Sequence, residues 1–322
     1  MARVLSGIQP SGTLHIGNYF GMMRPMIESQ SKSELFCFIV NYHALTSVED
    51  PEFLRTNTLE AAMDFLALGL DPDKCHFWAQ SDIPEVNELA WILACQTSLG
   101  LLERSHSYKD KLAKGLPASA GLFTYPVLMA ADILIMQSNV VPVGRDQKQH
   151  VEIARDIAER FNFVYGETFV IPEPRIEDAI AVVPGIDGQK MSKSYGNTIG
   201  IFEEEKPLRK KIMSIKTDST PVEEPKDPDT CYLVALYKLI ATESQTEDLG
   251  KRYRAGGLGY GTVKQELFEL MRDYFKPFRE KREELSKDKA SVRAILKKGA
   301  EKARTVAMPT IETVRSKVGL NY

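Results

Sequence analysis

Two short stretches of this 322-residue chain hold residues able to handle phosphate. Pro10-Ser11-Gly12-Thr13-Leu14-His15-Ile16-Gly17-Asn18 follows an apolar run at the N-terminus; Lys190-Met191-Ser192-Lys193-Ser194 lies far downstream, between Gly188 and Gly196. The first reads as the turn after a strand, begun by Gln9, followed by a helix start. Free N–H groups and the aligned peptide dipole attract anions there. His15 and Asn18 are three apart and share a helical face, so both can donate to phosphate oxygens. Gly17, without a side chain, lets an adenine or ribose approach the backbone. In the second stretch, Lys190 and Lys193 are point charges for β- and γ-phosphates and for departing pyrophosphate, on a loop whose glycines permit closure. Taken alone, each stretch has a plainer reading, a polar helix start and a solvated basic loop. Together they point to chemistry at the α-phosphate of ATP.

Two further stretches bear on what is activated. Gly144-Arg145-Asp146-Gln147 follows the apolar 139–143 run and opens a helix through Arg160. Asp146 there can bind ribose hydroxyls, or cap the helix through its three-residue spacing to Gln149. In Thr124-Tyr125-Pro126-Val127-Leu128-Met129-Ala130-Ala131-Asp132, Pro126 suits the first turn of a helix. Tyr125, Met129 and Asp132 then share one face. Asp132 is flanked by Ala130, Ala131, Ile133, Leu134 and Ile135, and burying an unpaired charge is costly. An indole, whose N–H only donates, suits a slot with one acceptor and a flexible thioether.

The elements that must position these residues alternate. Strands are expected at 3–8, 34–40, 75–80 and 139–143, with helices from about His15, at 51–70 and at 86–102. This is the pattern of a parallel, doubly wound α/β sheet, which binds ligands beyond the carboxyl ends of its strands. After about residue 200 the pattern becomes helical, at 231–240, 263–285 and 291–318, with Thr262 an expected N-cap and 218–229 a linker. The division expected is a Rossmann-like catalytic domain over 1–198 and an α-helical domain over 199–290, with the final helix, about 291–322, free to pack back on the first.

The bulk properties suit a two-domain globular protein: 43% hydrophobic, 26% charged, net charge −3. No apolar run reaches the ~18 residues of a membrane span, and the N-terminus lacks a secretory leader, so a cytoplasmic protein is expected. Cys37, Cys75, Cys95 and Cys231 are scattered without a CxxC pair, which argues for free thiols and against zinc or iron–sulfur ligation. Basic runs at Lys206, Arg209, Lys210, Lys211 and Lys216, and at Lys276, Arg279, Lys281 and Arg282, are either solvated helix faces or phosphate contacts for nucleic acid.

The sequence resembles the class I aminoacyl-tRNA synthetases. His15-Ile16-Gly17-Asn18 is similar to their HIGH signature, 190–194 matches KMSKS, and 144–147 resembles the GxDQ of the tyrosyl/tryptophanyl subclass. Order, spacing and length fit over essentially the whole chain. Met129 and Asp132 resemble the tryptophanyl branch, whose aspartate takes the indole N–H. Tyrosyl members typically place a glutamine at the Met129 position and a tyrosine near the first strand, where this chain has Leu5 and Ser6. Leu5 departs from the aromatic residue frequent in tryptophanyl relatives and implies an aliphatic pocket wall.

The resemblance implies attachment of L-tryptophan to tRNA(Trp) through a tryptophanyl-adenylate, with release of AMP and pyrophosphate. The alternatives are tyrosyl-tRNA synthetase activity, an inactive synthetase-like regulatory module, and another class I nucleotidyltransferase. It assigns Lys190, Lys193, Ser192, Ser194 and Lys111 to catalysis. Gln9, Pro10, Ser11, His15, Gly17, Asn18, Gly144, Arg145, Asp146, Val182, Val183 and the 190–194 loop, Met191 included, would bind ATP. Asp132, Tyr125, Met129, Gln147, His43, Leu5 and Gln9 would bind tryptophan. Mg²⁺ would enter mainly through the nucleotide, the helical domain would meet the anticodon arm, and the protein would be a homodimer.

Overall fold

A computed structural model of the chain describes residues 1–10, 12–105, 108–109, 119–144, 147–176 and 183–322. Five parallel strands form one sheet: β1 (Arg3–Ile8), β2 (Glu34–Ile39), β3 (His76–Ala79), β4 (Val140–Val143) and β5 (Glu173–Ile176), in the order β3-β2-β1-β4-β5. The first four are the strands expected. Their apolar runs are continuous because both faces of the sheet are buried. Val4, Leu35, Cys37, Ile39 and Phe77 point into one core. Leu5, Phe36, Phe38, Trp78 and Val141 point into the other. The fifth strand, Glu-Pro-Arg-Ile, is a polar edge with no such signature.

Helix boundaries depart from expectation in physically informative ways. The run from Ile16 is α-helical for Ile16–Asn18, widens into a π-turn at Tyr19–Met23 and resumes as Arg24–Ser29. The helix expected over 86–102 is two, Glu85–Ala94 and Leu99–Glu103. Pro126 lies inside the Ala120–Ile135 helix, whose start is set instead by Ser119 accepting the Leu122 amide at 3.1 Å. Thr262 is not an N-cap: the Tyr260–Lys287 helix begins after Gly259. The sequence reading also missed the Glu243–Ala255 helix, capped reciprocally by Thr242 and Gln245.

The Lys289–Val318 helix crosses the β3 edge. Its Val292 and Leu296 join the first core, and its Ala300, Ala303, Ala307, Ile311 and Val314 join the second. It thereby covers an exposed row of strand polar groups that would otherwise invite pairing with another chain. The first core continues through Leu267, Met271 and Phe275 into the Tyr260–Lys287 helix. Among the described residues, no helix is long and apolar enough to cross a membrane. Cys37 and Cys75 are buried free thiols, Cys95 is exposed, and Cys231 is half-buried.

Candidate functional site

The strand order reverses between β1 and β4, and their carboxyl ends open the crevice where such sheets bind ligands. Past β1, Gln9 is exposed and Pro10 buried, and the chain then enters the His15 turn. Past β4, exposed Gly144 accepts the Gln147 amide at 3.0 Å, and Gln147 precedes the Lys148–Tyr165 helix. Ser11, Lys111, Arg145, Asp146 and Val182 lie outside the described residues.

The lysine loop is tied to the His15 turn through the backbone. The Ile16 amide donates to Ile199 O at 2.9 Å, and the Ile201 amide to Leu14 O at 3.3 Å. One amide expected to face an anion is thus spent on the chain itself. The Asn18 side-chain oxygen accepts the His15 amide at 3.1 Å, which leaves its NH₂ as the end available to a ligand. A Cβ on Gly17 would stand 2.9 Å from His15 Nδ1 and 3.4 Å from Met191 Cβ. The glycine therefore seats the two motifs against each other, and a base approaching here must move the His15 ring.

His15 is held neutral: burial, and secondarily the Lys193 charge, push its imidazole down to about 4. Its buried Nδ1 has no hydrogen-bond partner among the described residues. Partial desolvation at the cavity also lowers the Lys193 ammonium below its usual range, although the residue as a whole is exposed. Thr13, Leu14, His15, Lys193, Thr198, Gly200, Glu203 and Lys211 line one cavity. Lys211, grouped by sequence with a basic surface run, is instead ion-paired with Glu203 in that cavity.

The loop itself is a hairpin. Met191 donates to Val183 O at 2.9 Å, and the Gly185 amide to Gln189 O at 2.7 Å. Lys190 and Lys193 are exposed, Met191 is buried, and the Ser192 hydroxyl accepts the Ser194 amide at 3.3 Å. Gly196 closes the turn at φ 63°, a left-handed conformation suited to glycine.

A second group lies under the Ala120–Ile135 helix. Asp132 is 4% exposed. Gln80, fully buried after β3, donates Nε2 to both Asp132 oxygens, at 2.9 and 2.8 Å. His43, past β2, hydrogen-bonds Asp132 Oδ2 through Nε2 at 3.0 Å. Gln80 Oε1 in turn accepts the Tyr42 and His43 amides at 2.9 and 3.4 Å. Burial raises the Asp132 carboxyl above its usual range, against the His43 and Gln80 hydrogen bonds. A carboxylate has about four acceptor sites, so one more donor can be taken. Tyr125 stands edge-on to His43 with ring centroids 6.2 Å apart and hydrogen-bonds His150. Met129 and Leu5 belong to the same core.

Gln80 and His150 were absent from the sequence reading. The signal for Gln80 was a polar residue ending a buried strand. Among the described residues no group of three or more His, Cys, Asp or Glu side chains is placed to hold a metal.

Fold and site together define a Rossmann-type nucleotide-binding enzyme with a tethered lysine loop. The family model for class I tRNA synthetases (W and Y) matches residues 1–276. A tryptophan–tRNA ligase of Rhodopirellula baltica is 55% identical, covering 99% of both chains. One from Campylobacter jejuni is 56% identical over 99% of this chain and 100% of its own. The crystal structure of the Campylobacter jejuni tryptophanyl-tRNA synthetase complexed with ADP and tryptophan superposes with a TM-score of 0.94 at 56% identity, covering 98% of this chain and 99% of that one. The chain belongs to the class I tRNA synthetases of the W and Y type.

Proposed function

We propose that this protein activates L-tryptophan with ATP and transfers it to tRNA(Trp). The observation that carries the choice of tryptophan is the buried Asp132 carboxylate, held by His43 and Gln80 with acceptor capacity to spare. The likeness to tryptophan–tRNA ligases along the whole chain agrees with it.

In the first step a tryptophan carboxylate oxygen bonds to the ATP α-phosphorus while the bond from that phosphorus to the pyrophosphate oxygen breaks. In the second, a terminal ribose hydroxyl of tRNA, the 2′-OH as is usual in the class, attacks the acyl carbon and AMP leaves. No protein nucleophile is needed; positioning and charge stabilisation carry the rate. Lys190 and Lys193 stabilise pyrophosphate, with Ser192 and Ser194 in the same loop, and Lys111 is assigned a phosphate contact by the family resemblance. Neutral His15 and the Asn18 amide donate to phosphate oxygens. Asp146 takes the ribose, with Gly144 and Arg145 beside it. Gly17 and the backbone at Val182 and Val183 border adenine. Asp132 accepts the indole N–H, Met129 and Leu5 pack the ring, and Gln9, Tyr125 and Gln147 meet the ammonium and carboxylate. The nucleotide phosphates would hold Mg²⁺, which would supply charge neutralisation there.

Exposed Lys206, Lys210, Lys216, Lys276 and Lys281 supply tRNA phosphate contacts that weaken with salt. Arg282, in the same run, is committed to Asp64 and Glu60. The protein works as a homodimer. Trp91, 73% exposed, and Leu99, 67% exposed, flank a break between two helices and are apolar side chains that a second copy could cover. Sedimentation as a monomer at micromolar concentration would refute this.

The test of the activity is ATP–pyrophosphate exchange with tryptophan, tyrosine or neither. Tryptophan alone should support it, and Lys193→Ala should lower kcat more than it alters the tryptophan KM. Exchange with tyrosine, or with no amino acid, sinks the proposal.

A further inference from the structure

We infer that Asn197, with Asp187, is a positioning residue that fixes the geometry of the lysine loop; this rests on the adenylation reading above. Asn197 is 2% exposed, although it directly follows the solvent-exposed stretch Lys193–Gly196. Its Oδ1 accepts the Ser192 amide at 2.8 Å, and its Nδ2 donates to Lys190 O at 3.2 Å and to Asp187 Oδ1 at 2.8 Å. A single side chain therefore holds the backbone on both sides of Met191, immediately before Lys193. Its own carbonyl accepts the Ile186 amide at 3.1 Å, so both arms of the hairpin meet at this residue.

An amide suits the site: Ser192 N–H needs an acceptor while Lys190 O and Asp187 need donors, and an Asn side chain meets all three from one oxygen and one NH₂. The close fit excludes the longer Gln: a Cβ built on Gly185 would already stand 2.3 Å from Asn197 Nδ2. Asp187 completes the clip. It accepts the Gln189 amide at 3.0 Å as well as Asn197 Nδ2, and the Asn197 hydrogen bond holds its carboxyl below the usual range. The charged group facing the pair is Lys216, whose charge also favours the ionised Asp187. The clip sets where Lys190 and Lys193 stand when pyrophosphate departs, and misplacement of a charge by about 1 Å can cost on the order of 100-fold in rate.

The test is Asn197→Asp, which sets a carboxylate against Asp187. In tryptophan-dependent exchange at pH 7.5, kcat should fall by about 10- to 100-fold with the tryptophan KM nearly unchanged. Lowering the pH protonates one of two repelling carboxyls and returns a donor. The ratio of variant to wild-type kcat should therefore rise as pH falls towards 5.5. Pairing Asn197→Asp with Asp187→Asn restores a donor and an acceptor across the clip and should recover part of kcat. A flat pH ratio, no recovery in the paired variant, or a kcat equal to wild type overturns the inference. Wild-type chain inactive with tryptophan overturns the adenylation reading instead.

Discussion

Asp132 keeps a carboxyl group in an apolar helix face because two neighbours reach it from the ends of different strands. Gln80 spans both of its oxygens from beyond β3, and His43 bonds one from beyond β2. A hydrogen bond to a charged group is worth about 1.5–3 kcal/mol, so loss of the indole acceptor should raise the tryptophan KM by about 10- to 100-fold. Asp132→Asn should do this with the ATP KM nearly unchanged. Gln80→Ala should act in the same direction, since Asp132 then loses the group that orients it. The check is exchange kinetics with each substrate varied in turn; equal rises in both KM values would show general damage to the fold and remove the indole assignment. Asp132 was legible in the sequence because a carboxylate among Ala and Ile is conspicuous. Gln80 and Asn197 were not, since a Gln after a strand and an Asn after a loop look like ordinary turn residues. The partner of Gln80 is set by tertiary proximity, 52 positions away at Asp132, and those of Asn197 by the folding of the hairpin over 5 to 10 positions.

Among the elements, those with two buried faces or a continuous apolar stripe were readable, whereas polar ones were not. Strands β1 to β4 announce themselves as runs of Val, Leu, Phe and Ile, while β5 and the Glu243–Ala255 helix carry little apolar pattern. Thr242 and Gln245 did hold a capping-box signal that was passed over. The role of the Lys289–Val318 helix as a cover for the β3 edge was beyond the pattern, because it depends on one absent side chain. A Cβ on Gly299 would stand 1.7 Å from Phe77 O, a backbone atom that cannot rotate away. Replacing an interior helix glycine by alanine favours the helix by about 1 kcal/mol. Overpacking against fixed atoms typically costs about 1–3 kcal/mol, and this overlap is severe. Gly299→Ala should therefore destabilise the protein despite its better helix propensity. Gly261→Ala, on a helix position with nothing within 4 Å, should be neutral or stabilising. Thermal unfolding of both variants decides it; a higher Tm for Gly299→Ala would mean that the helix does not press on the strand.

At the scale of the whole molecule, an ion pair and an aromatic cluster are among the contacts between the first half of the chain and the C-terminal helices. Tyr19 meets Tyr274 through their hydroxyls at 3.1 Å, with Phe20, Phe275 and Phe278 packed around them. Nearby, Asp64 on the Pro51–Ala67 helix accepts from Arg282 Nε at 2.7 Å, and Arg282 also pairs with Glu60. Burial pushes the Asp64 carboxyl up to about 6 from an ordinary 3.8, against the opposing pull of Arg282. The folded state thus holds this proton more tightly than the unfolded chain. Its contribution to stability is full below 3.8 and is lost as pH rises through about 6. At pH 7.5 the interface carries an ionised, buried Asp64, and Arg282 is what makes that tolerable. Arg282→Met should accordingly lower stability by about 2 kcal/mol at pH 7.5, less than for a fully buried pair because the guanidinium is partly solvated. The loss should shrink at pH 5, where Asp64 takes up a proton, and should be largely reversed at pH 7.5 by adding Asp64→Asn. Urea unfolding of the single and double variants at the two pH values measures this. An Arg282→Met loss of equal size at both, unrelieved by Asp64→Asn, would mean that the guanidinium stabilises the junction through its contact with the Phe202 ring, 5.4 Å away, and through packing, not through the Asp64 charge.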